Sequence, residues 1–246
     1  MVELKSQREI ELMSRAGKIA ALLLQELEKK IRPGIKTFEL DQMAERFIRG
    51  RGAEPAFKGY RGYPCTICVS TNEEVVHGIP GNRVLKEGDI VSVDVGVKLQ
   101  GYYADTAKTF AVGSISEKAK HLMEVTQESL IRGIDKAHKG ARLMEISQAI
   151  QQWVESHAFS VVRAFVGHGI GAQLHEDPQI PNFVSSGQGI ILKEGMVLAI
   201  EPMVAEGNYE VEILRDGWTA ITKDRKLAAH FEHTVAVTEE GPKILT

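Results

Sequence analysis

One stretch of this chain occurs twice. Val84-Leu85-Lys86-Glu87-Gly88-Asp89-Ile90-Val91-Ser92-Val93-Asp94 returns 107 residues later as Ile191-Leu192-Lys193-Glu194-Gly195-Met196-Val197-Leu198-Ala199-Ile200-Glu201. Gly34, Glu39 and Leu40 return 106 residues on, as Gly140, Glu145 and Ile146. Two copies are too few for a solenoid, whose repeats need neighbours on both sides to bury their faces. They fit two halves related by a pseudo-two-fold axis, each reading helix, helix, then strands that end in a carboxylate. Chance could repeat Leu-Lys-Glu-Gly. It is a poor account of an echo that also keeps the carboxylate and the helices ahead of it.

In each half a return strand follows. Two apolar, β-branched runs flank Lys98-Leu99-Gln100-Gly101, the pattern of a β-hairpin. A turn centred on Leu99-Gln100 pairs residues whose numbers add to 199, and so sets Asp94 opposite Asp105. Their Cβ atoms would then lie roughly 5 Å apart. Alone, such a pair reads as a solvated face or one protonated carboxyl; otherwise a cation must sit between them. In the second half Phe231-Glu232-His233-Thr234-Val235-Ala236-Val237 resembles Ala104-Asp105-Thr106-Ala107-Lys108-Thr109-Phe110, with Glu232 in the place of Asp105. Glu201 and Glu232 are centred on Asp216-Gly217, a favoured turn dipeptide. A connection this long is expected to lose its register along the way.

The remaining elements are punctuated clearly. Ser6-Gln7-Arg8-Glu9 is a capping box that opens a helix ending at Pro33-Gly34. A second helix runs from about Thr37 to Gly50 or Gly52. Ser116 caps a third that ends by Gly140, and a shorter one carries Met144, Ile146, Ile150 and Trp153. Strand-like text covers residues 65–70 and 160–166. A formal net charge of -3 over 246 residues, with 43% hydrophobic and 26% charged, gives no sign of a nucleic-acid or membrane partner. The apolar run Ile19 to Leu24 is too short to span a bilayer and is followed by Glu26, Glu28, Lys29 and Lys30. Two cysteines, Cys65 and Cys68, have the C-x-x-C spacing but lack the second pair a structural zinc site uses and the βαβ unit of a thioredoxin-like site. A cytoplasmic protein is expected.

Four carboxylates converging on one sheet face cannot all be ionised without cations. Oxygen-rich ligation suits Mn, Fe(II), Co or Mg, and bridging carboxylates suit a pair of ions about 3.5–4 Å apart with an activated water between them. The reaction class is metal-assisted hydrolysis. Gly167-His168-Gly169-Ile170-Gly171 offers a fifth ligand in His168, with flanking glycines expected to turn the backbone sharply. His77, in His77-Gly78-Ile79-Pro80, and His175, in Leu174-His175-Glu176-Asp177-Pro178, are placed to donate to a substrate carbonyl or shuttle a proton.

These motifs, with Tyr102-Tyr103-Ala104-Asp105-Thr106-Ala107-Lys108, Ala199-Ile200-Glu201-Pro202-Met203 and His230-Phe231-Glu232-His233, resemble in order and over the whole chain the methionine aminopeptidases of the type I, bacterial class. The resemblance implies an α+β, pita-bread fold, a pseudo-two-fold antiparallel β-sheet backed by helices. It implies one catalytic domain over residues 1–246, in halves of about 1–113 and 114–246. It implies two divalent ions (Co, Mn, Fe(II) or Zn), with Asp94 on one, His168 and Glu201 on the other, and Asp105 and Glu232 bridging. Glu201 would be the general base, and His77 and His175 would contact the scissile amide. Tyr60, Tyr63, Cys68 and Trp218 would form the methionine pocket. Leu174 stands where many members carry an aromatic residue and Phe57 where some carry a smaller one, so pocket width is open. The substrates implied are nascent polypeptide N-termini with a small second residue, met by a monomer at the ribosome. Two other readings share the fold: an X-Pro peptidase, which usually carries a further N-terminal domain, and a peptide-binding module that has lost its metals.

Overall fold

The helices of each half begin where the sequence says they should. The computed structural model describes residues 2–185 and 189–246. In α1 (Gln7–Glu28) the Ser6 hydroxyl accepts from the Glu9 amide while the Glu9 carboxylate accepts from the Ser6 amide. The Glu39 carboxylate reaches back to the Lys36 amide ahead of α2 (Thr37–Arg49), and Glu145 does the same at Arg142 in the second half. After α2 come β1 (Glu54–Pro55), β2 (Cys68–Thr71) and β3 (Glu74–Val76), then the long hairpin of β4 (Ile90–Leu99) and β5 (Tyr102–Ala111). The second half opens with α3 (Glu117–Ile134), capped by Ser116, and α4 (Leu143–Ser156). Then follow β6 (Ser160–Val161), β7 (Gly167–Gly169), β8 (Glu176–Ile180), β9 (Val197–Ile200) and β10 (Met203–Ala205). The last five are β11 (Val211–Ile213), β12 (Ala220–Thr222), β13 (Ala228–His230), β14 (Glu232–Thr238) and β15 (Gly241–Ile244).

The internal repeat is a repeat of hydrogen bonds as well as of letters. The Gly34 amide donates to the Leu85 carbonyl and the Leu85 amide to that of Ile35; Gly140, Leu192 and Ala141 reproduce both bonds. Isolated bridges join Lys36 to Val84 and Arg142 to Ile191. Gly34 and Gly140 share left-handed φ values of 93° and 87°, as Gly88 and Gly195 do at 92° and 86°, conformations in which a Cβ is strained.

The two halves meet in one antiparallel sheet of order β1-β4-β5-β14-β9-β7-β8, with β2 on β4 and β15 on β14. Alternation sends Val91, Val93, Val95 and Val97 to a core shared with α1 and α2. Leu198, Ile200, Val235 and Val237 go to a second core under α3 and α4. The residues between them, including Asp94, Asp105 and Glu232, therefore point away from the helices. At the pseudo-axis β5 and β14 share only two ladder pairs, Glu232 with Ala107 and His233 with Thr106. Threonine hydroxyls complete the seam. The Asp105 amide donates to Thr234 Oγ1 at 2.9 Å, that hydroxyl donates to the Asp105 carbonyl at 2.7 Å, and Thr106 Oγ1 donates to the Glu232 carbonyl at 2.7 Å.

Three expectations change. The first hairpin turns on Gln100-Gly101, both with positive φ, and not on Leu99-Gln100; Leu99 is buried as the last residue of its strand. Asp94 thus faces Ala107, and Asp105 faces Gly96. A shift of two keeps both carboxylates on the same face, now as diagonal neighbours. The second hairpin keeps the register it was expected to lose. His233 with Ile200, Met203 with His230 and Val211 with Thr222 all lie on the pairing that Glu201 and Glu232 define. Finally, the strand expected over 160–166 is paired only at Ser160–Val161, because the chain leaves β10 after the Val162 amide bonds Met203 and carries Phe165 to the cavity described next.

Candidate active site

A cavity of about 310 Å³ opens on the carboxylate face of the sheet, and all eleven site residues expected from the sequence line it. Side-chain oxygens of Asp105 and Glu232 and a ring nitrogen of His168 lie within 4.8 Å of one another. Asp94 lies close enough to Asp105 and Glu201 for their charges to act on its carboxyl, and His168 Nε2 lies 3.5 Å from Glu201 Oε1. His168 Nδ1 is 2.9 Å from the Gly169 carbonyl, which can only accept. The proton therefore sits on Nδ1, and the Nε2 lone pair faces the carboxylates.

The glycines beside His168 serve a purpose other than the sharp turn expected of them. Gly167-His168-Gly169 is a strand, β7, between β8 and β9. A Cβ at Gly167 would stand 2.3 Å from the Ala199 carbonyl oxygen, and one at Gly169 would stand 2.1 Å from that of Asp177. Close approach of the neighbouring backbones excludes side chains on either side of the imidazole.

Electrostatically the cluster is incomplete on its own. Burial is the first cause that raises each of the four carboxyls; Asp105 is pushed up to about 7, and Asp94, Glu201 and Glu232 rise well above the ordinary carboxylate range. Mutual repulsion adds to the rise in the last three. Asp94 Oδ1, Asp105 Oδ1 and Glu232 Oε1 are buried without a hydrogen-bond partner. Buried polar atoms are nearly always satisfied, so three orphaned oxygens on residues lining one cavity fit divalent cations. Burial also depresses the imidazoles, His168 to about 4 and His175 to about 3, leaving the first neutral as ligation requires.

Around this cluster the walls divide by chemistry. Phe57, Tyr60, Tyr63, Cys68, Leu174 and Trp218 form an aromatic and sulfur-lined side. Tyr63 and Trp218 meet edge to face at 5.1 Å, and Phe57 packs over Gly96, where a Cβ would come within 2.5 Å of its ring. Leu174 is only 2% exposed, so the smaller residue still closes the wall. Burial pushes the Cys65 thiol up to about 11 and Cys68 higher, so neither is a thiolate at neutral pH. His77 has φ 61° and stands edge-on to Phe165 at 5.2 Å. Its strained backbone is held by Gly78, whose amide donates to Ser70 Oγ and whose carbonyl accepts from Val69. His175 Nδ1 is 2.7 Å from the Tyr60 hydroxyl.

Three lining or neighbouring residues were not read from the sequence. Phe165 and Arg61 carry no pattern that would have marked them. His230, buried with Nε2 unpartnered and 3.9 Å from Glu201 Oε2, precedes Glu232 by two residues; strand alternation would have put it on the carboxylate face.

The pattern of metallopeptidase family M24 matches residues 11–239. The chain belongs to that family. Among its relatives, methionine aminopeptidase 1 of Bacillus subtilis is 58% identical over 246 residues, covering all of this chain and 99% of the relative. The crystal structure of a methionine aminopeptidase from Thermotoga maritima superposes with a TM-score of 0.98 at 50% identity, covering 100% and 99% of the two chains. Prolidase from Pyrococcus furiosus matches at a TM-score of 0.81 and 26% identity, over 99% of this chain and 65% of that one. The family likeness extends the α+β, pita-bread architecture expected from the sequence to both groups of enzymes. No helix among the described residues is long and apolar enough to cross a membrane.

Proposed function

We propose that this chain is a metal-dependent aminopeptidase that removes N-terminal methionine from polypeptides whose second residue is small. One observation carries the reading: carboxylates with three orphaned oxygens and a neutral imidazole line a cavity walled by aromatic rings and a thiol. A flexible, polarizable thioether suits such a wall. The 58% identity to a methionine aminopeptidase over the full chain supports it. Residues 1–246 act as one catalytic unit of two halves, about 1–113 and 114–246.

In this reading Asp94, Asp105, His168, Glu201 and Glu232 would hold the divalent ions. Bound there, Co, Mn, Fe(II) or Zn would polarise the scissile carbonyl as a Lewis acid and lower the pKa of water at the site. Glu201, on the wall of the cavity and 3.5 Å from His168, would accept the proton released by the attacking water. His77 and His175, kept neutral by burial, present N–H donors to the scissile amide without adding charge. The Tyr60 hydroxyl, 2.7 Å from His175 Nδ1, fixes the orientation of that ring. Tyr60, Tyr63, Cys68 and Trp218, with Phe57 and Leu174, enclose the methionine side chain and exclude water from it. Substrates are nascent chains, and the enzyme works as a cytoplasmic monomer near the ribosome.

Incubating metal-loaded protein with Met-Ala-Ser, Met-Leu-Ser and Ala-Pro-Ser, and following products by mass spectrometry, tests this directly. Methionine release from the first peptide alone is expected. Cleavage of the proline peptide alone would move the chain to the prolidase side of the family, and no cleavage would make it a binding module.

A further inference from the structure

The loop that joins β7 to β8 carries Leu174 and His175, and it is anchored to a residue from the start of the chain. Lys5 lies two residues ahead of α1, with its amide bonded to the Gly195 carbonyl at 2.6 Å. Its side chain is 4% exposed and its Nζ lies 2.5 Å from Glu176 Oε2, on a carboxylate that is itself 10% exposed. The other oxygen of Glu176 accepts the Gln173 amide at 2.9 Å. Glu176 therefore grips the loop from within, and Lys5 grips Glu176. Among the described residues, Lys5 Nζ also lies 3.4 Å from the Glu3 carbonyl and 3.6 Å from the Glu3 carboxylate.

The surroundings are shaped to admit this lysine. A Cβ on Gly171 would stand 2.1 Å from Lys5 Cε and 2.8 Å from Glu176 Oε1, and one on Gly195 would stand 2.8 Å from the Lys5 carbonyl oxygen. Both glycines open the channel through which the side chain reaches the loop. Lysine is almost never buried unless paired, and a buried ion pair is seldom more stabilising than apolar residues of the same volume. Stability alone thus gives no reason to place one here. Position does: Glu176 is the next residue after His175, and the loop begins just after His168.

We propose that Lys5 is a positioning residue, which holds His175 against the scissile amide through its buried ion pair with Glu176. This rests on the aminopeptidase reading for its effect on turnover, though the anchoring of the loop can be measured without it. Lys5 touches neither substrate nor metal site. It acts through Glu176, whose displacement by about an ångström would carry His175 out of line, an error that can cost on the order of a hundredfold in rate.

The test compares the parent chain with Lys5→Met and Glu176→Gln, all metal-loaded, by hydrogen exchange with mass spectrometry and by turnover of Met-Ala-Ser. Amides in residues 170–177 are expected to exchange at least about tenfold faster in both variants, with β4 and β5 as protected as in the parent. Turnover is expected to fall about 10–100-fold, mostly in kcat rather than KM, with metal content unchanged. On a His175→Ala background Lys5→Met should then lower kcat no further. Unchanged exchange over 170–177 overturns the proposal, and so does a loss of kcat that is the same with and without His175. Should Lys5→Met not fold, Glu176→Gln, which keeps the acceptor for the Gln173 amide, carries the same readouts. A parent that releases no methionine would sink the proposed function, while the exchange measurement would still decide whether Lys5 anchors the loop.

Discussion

Stripping divalent cations from this protein should make its stability fall as pH rises above neutrality. In the metal-free chain the four carboxyls of the site bind protons more tightly than they do unfolded, because of burial first and then one another. A carboxyl raised on folding stabilises fully below its unfolded pKa, and that contribution is lost as pH climbs through the folded value. The slope is about 1.4 kcal/mol per pH unit for each titrating group. Buried imidazoles run the other way. His168 at about 4, and His175 and His230 at about 3, bind fewer protons folded than unfolded, so their contribution rises with pH until it levels near pH 6.5. Below about 6.5 the two sets offset one another; above it only the carboxyls act. Asp105 completes its change near 7, and Asp94, Glu201 and Glu232, raised well above the ordinary carboxylate range, act in the same direction. Each carboxyl removes about 1.4 kcal/mol for every pH unit over which it stays protonated folded and ionised unfolded. For a chain of this size each such unit lowers Tm by about 3–6 °C. Asp41 and Glu74, also raised by burial, lie outside the cluster and add the same slope with or without metal. Scanning calorimetry in chelator and in excess Mn(II) isolates the site as the difference between the two curves. A difference that stays constant or shrinks from pH 6.5 to 8.5 would refute the argument that cations satisfy these carboxyls.

Three substitutions probe separate parts of the cavity. His77→Ala should cut kcat by about 10²–10³ with metal content unchanged, since it removes a donor and no ligand; metal loss on elemental analysis would reassign it. Asp105→Asn replaces a shared anionic donor beside the orphaned oxygen of Glu232, and should abolish turnover and lower the number of ions bound per chain by titration calorimetry. Gly96→Ala puts a Cβ 2.5 Å from Phe57 Cε1 and 2.9 Å from Ala56 Cβ. It should cost about 1–3 kcal/mol in urea unfolding and raise KM for methionyl peptides as Phe57 is pushed into the cavity.

Much of the architecture was legible because it is written in periodic or paired features. The capping box at Ser6 and the internal copy of residues 84–94 each have a local physical cause and appear where they were expected, whereas α1 ends at Glu28, ahead of the stop expected at Pro33-Gly34. The four carboxylates could be named because strand alternation and the repeat point to the same face, and His168 because of the glycines that flank it. What was misread depended on long-range packing. The turn moved to Gln100-Gly101 because the core under α1 and α2 takes Leu99, a fact no four-residue window contains. The glycines beside His168 looked like hinge residues, yet they answer to carbonyls of Ala199 and Asp177, the first thirty residues away. Lys5 carried no signal at all; its partner is 171 residues along the chain.

The second hairpin shows why its register could not be allowed to drift. From Ile200 with His233, through Met203 with His230, to Ile213 with Ala220, every pairing keeps the same centre, even as the two strands leave the main sheet together. The far end turns at Asp216-Gly217, where Asp216 accepts the amides of Trp218 and Thr219, and β12 pairs with β3 of the first half. This pairing carries Trp218 across to Tyr63 and to His77, 5.1 and 6.4 Å between ring centroids. A slip of one residue would turn Glu201 or Glu232 into the helical core, and the same slip would draw Trp218 off the wall of the cavity. One continuous pairing therefore sets both the carboxylates of the second half and the pocket wall supplied to the first. The pseudo-symmetric repeat provides the carboxylates twice, but the extended second hairpin is what joins the carboxylate cluster to a pocket of defined shape.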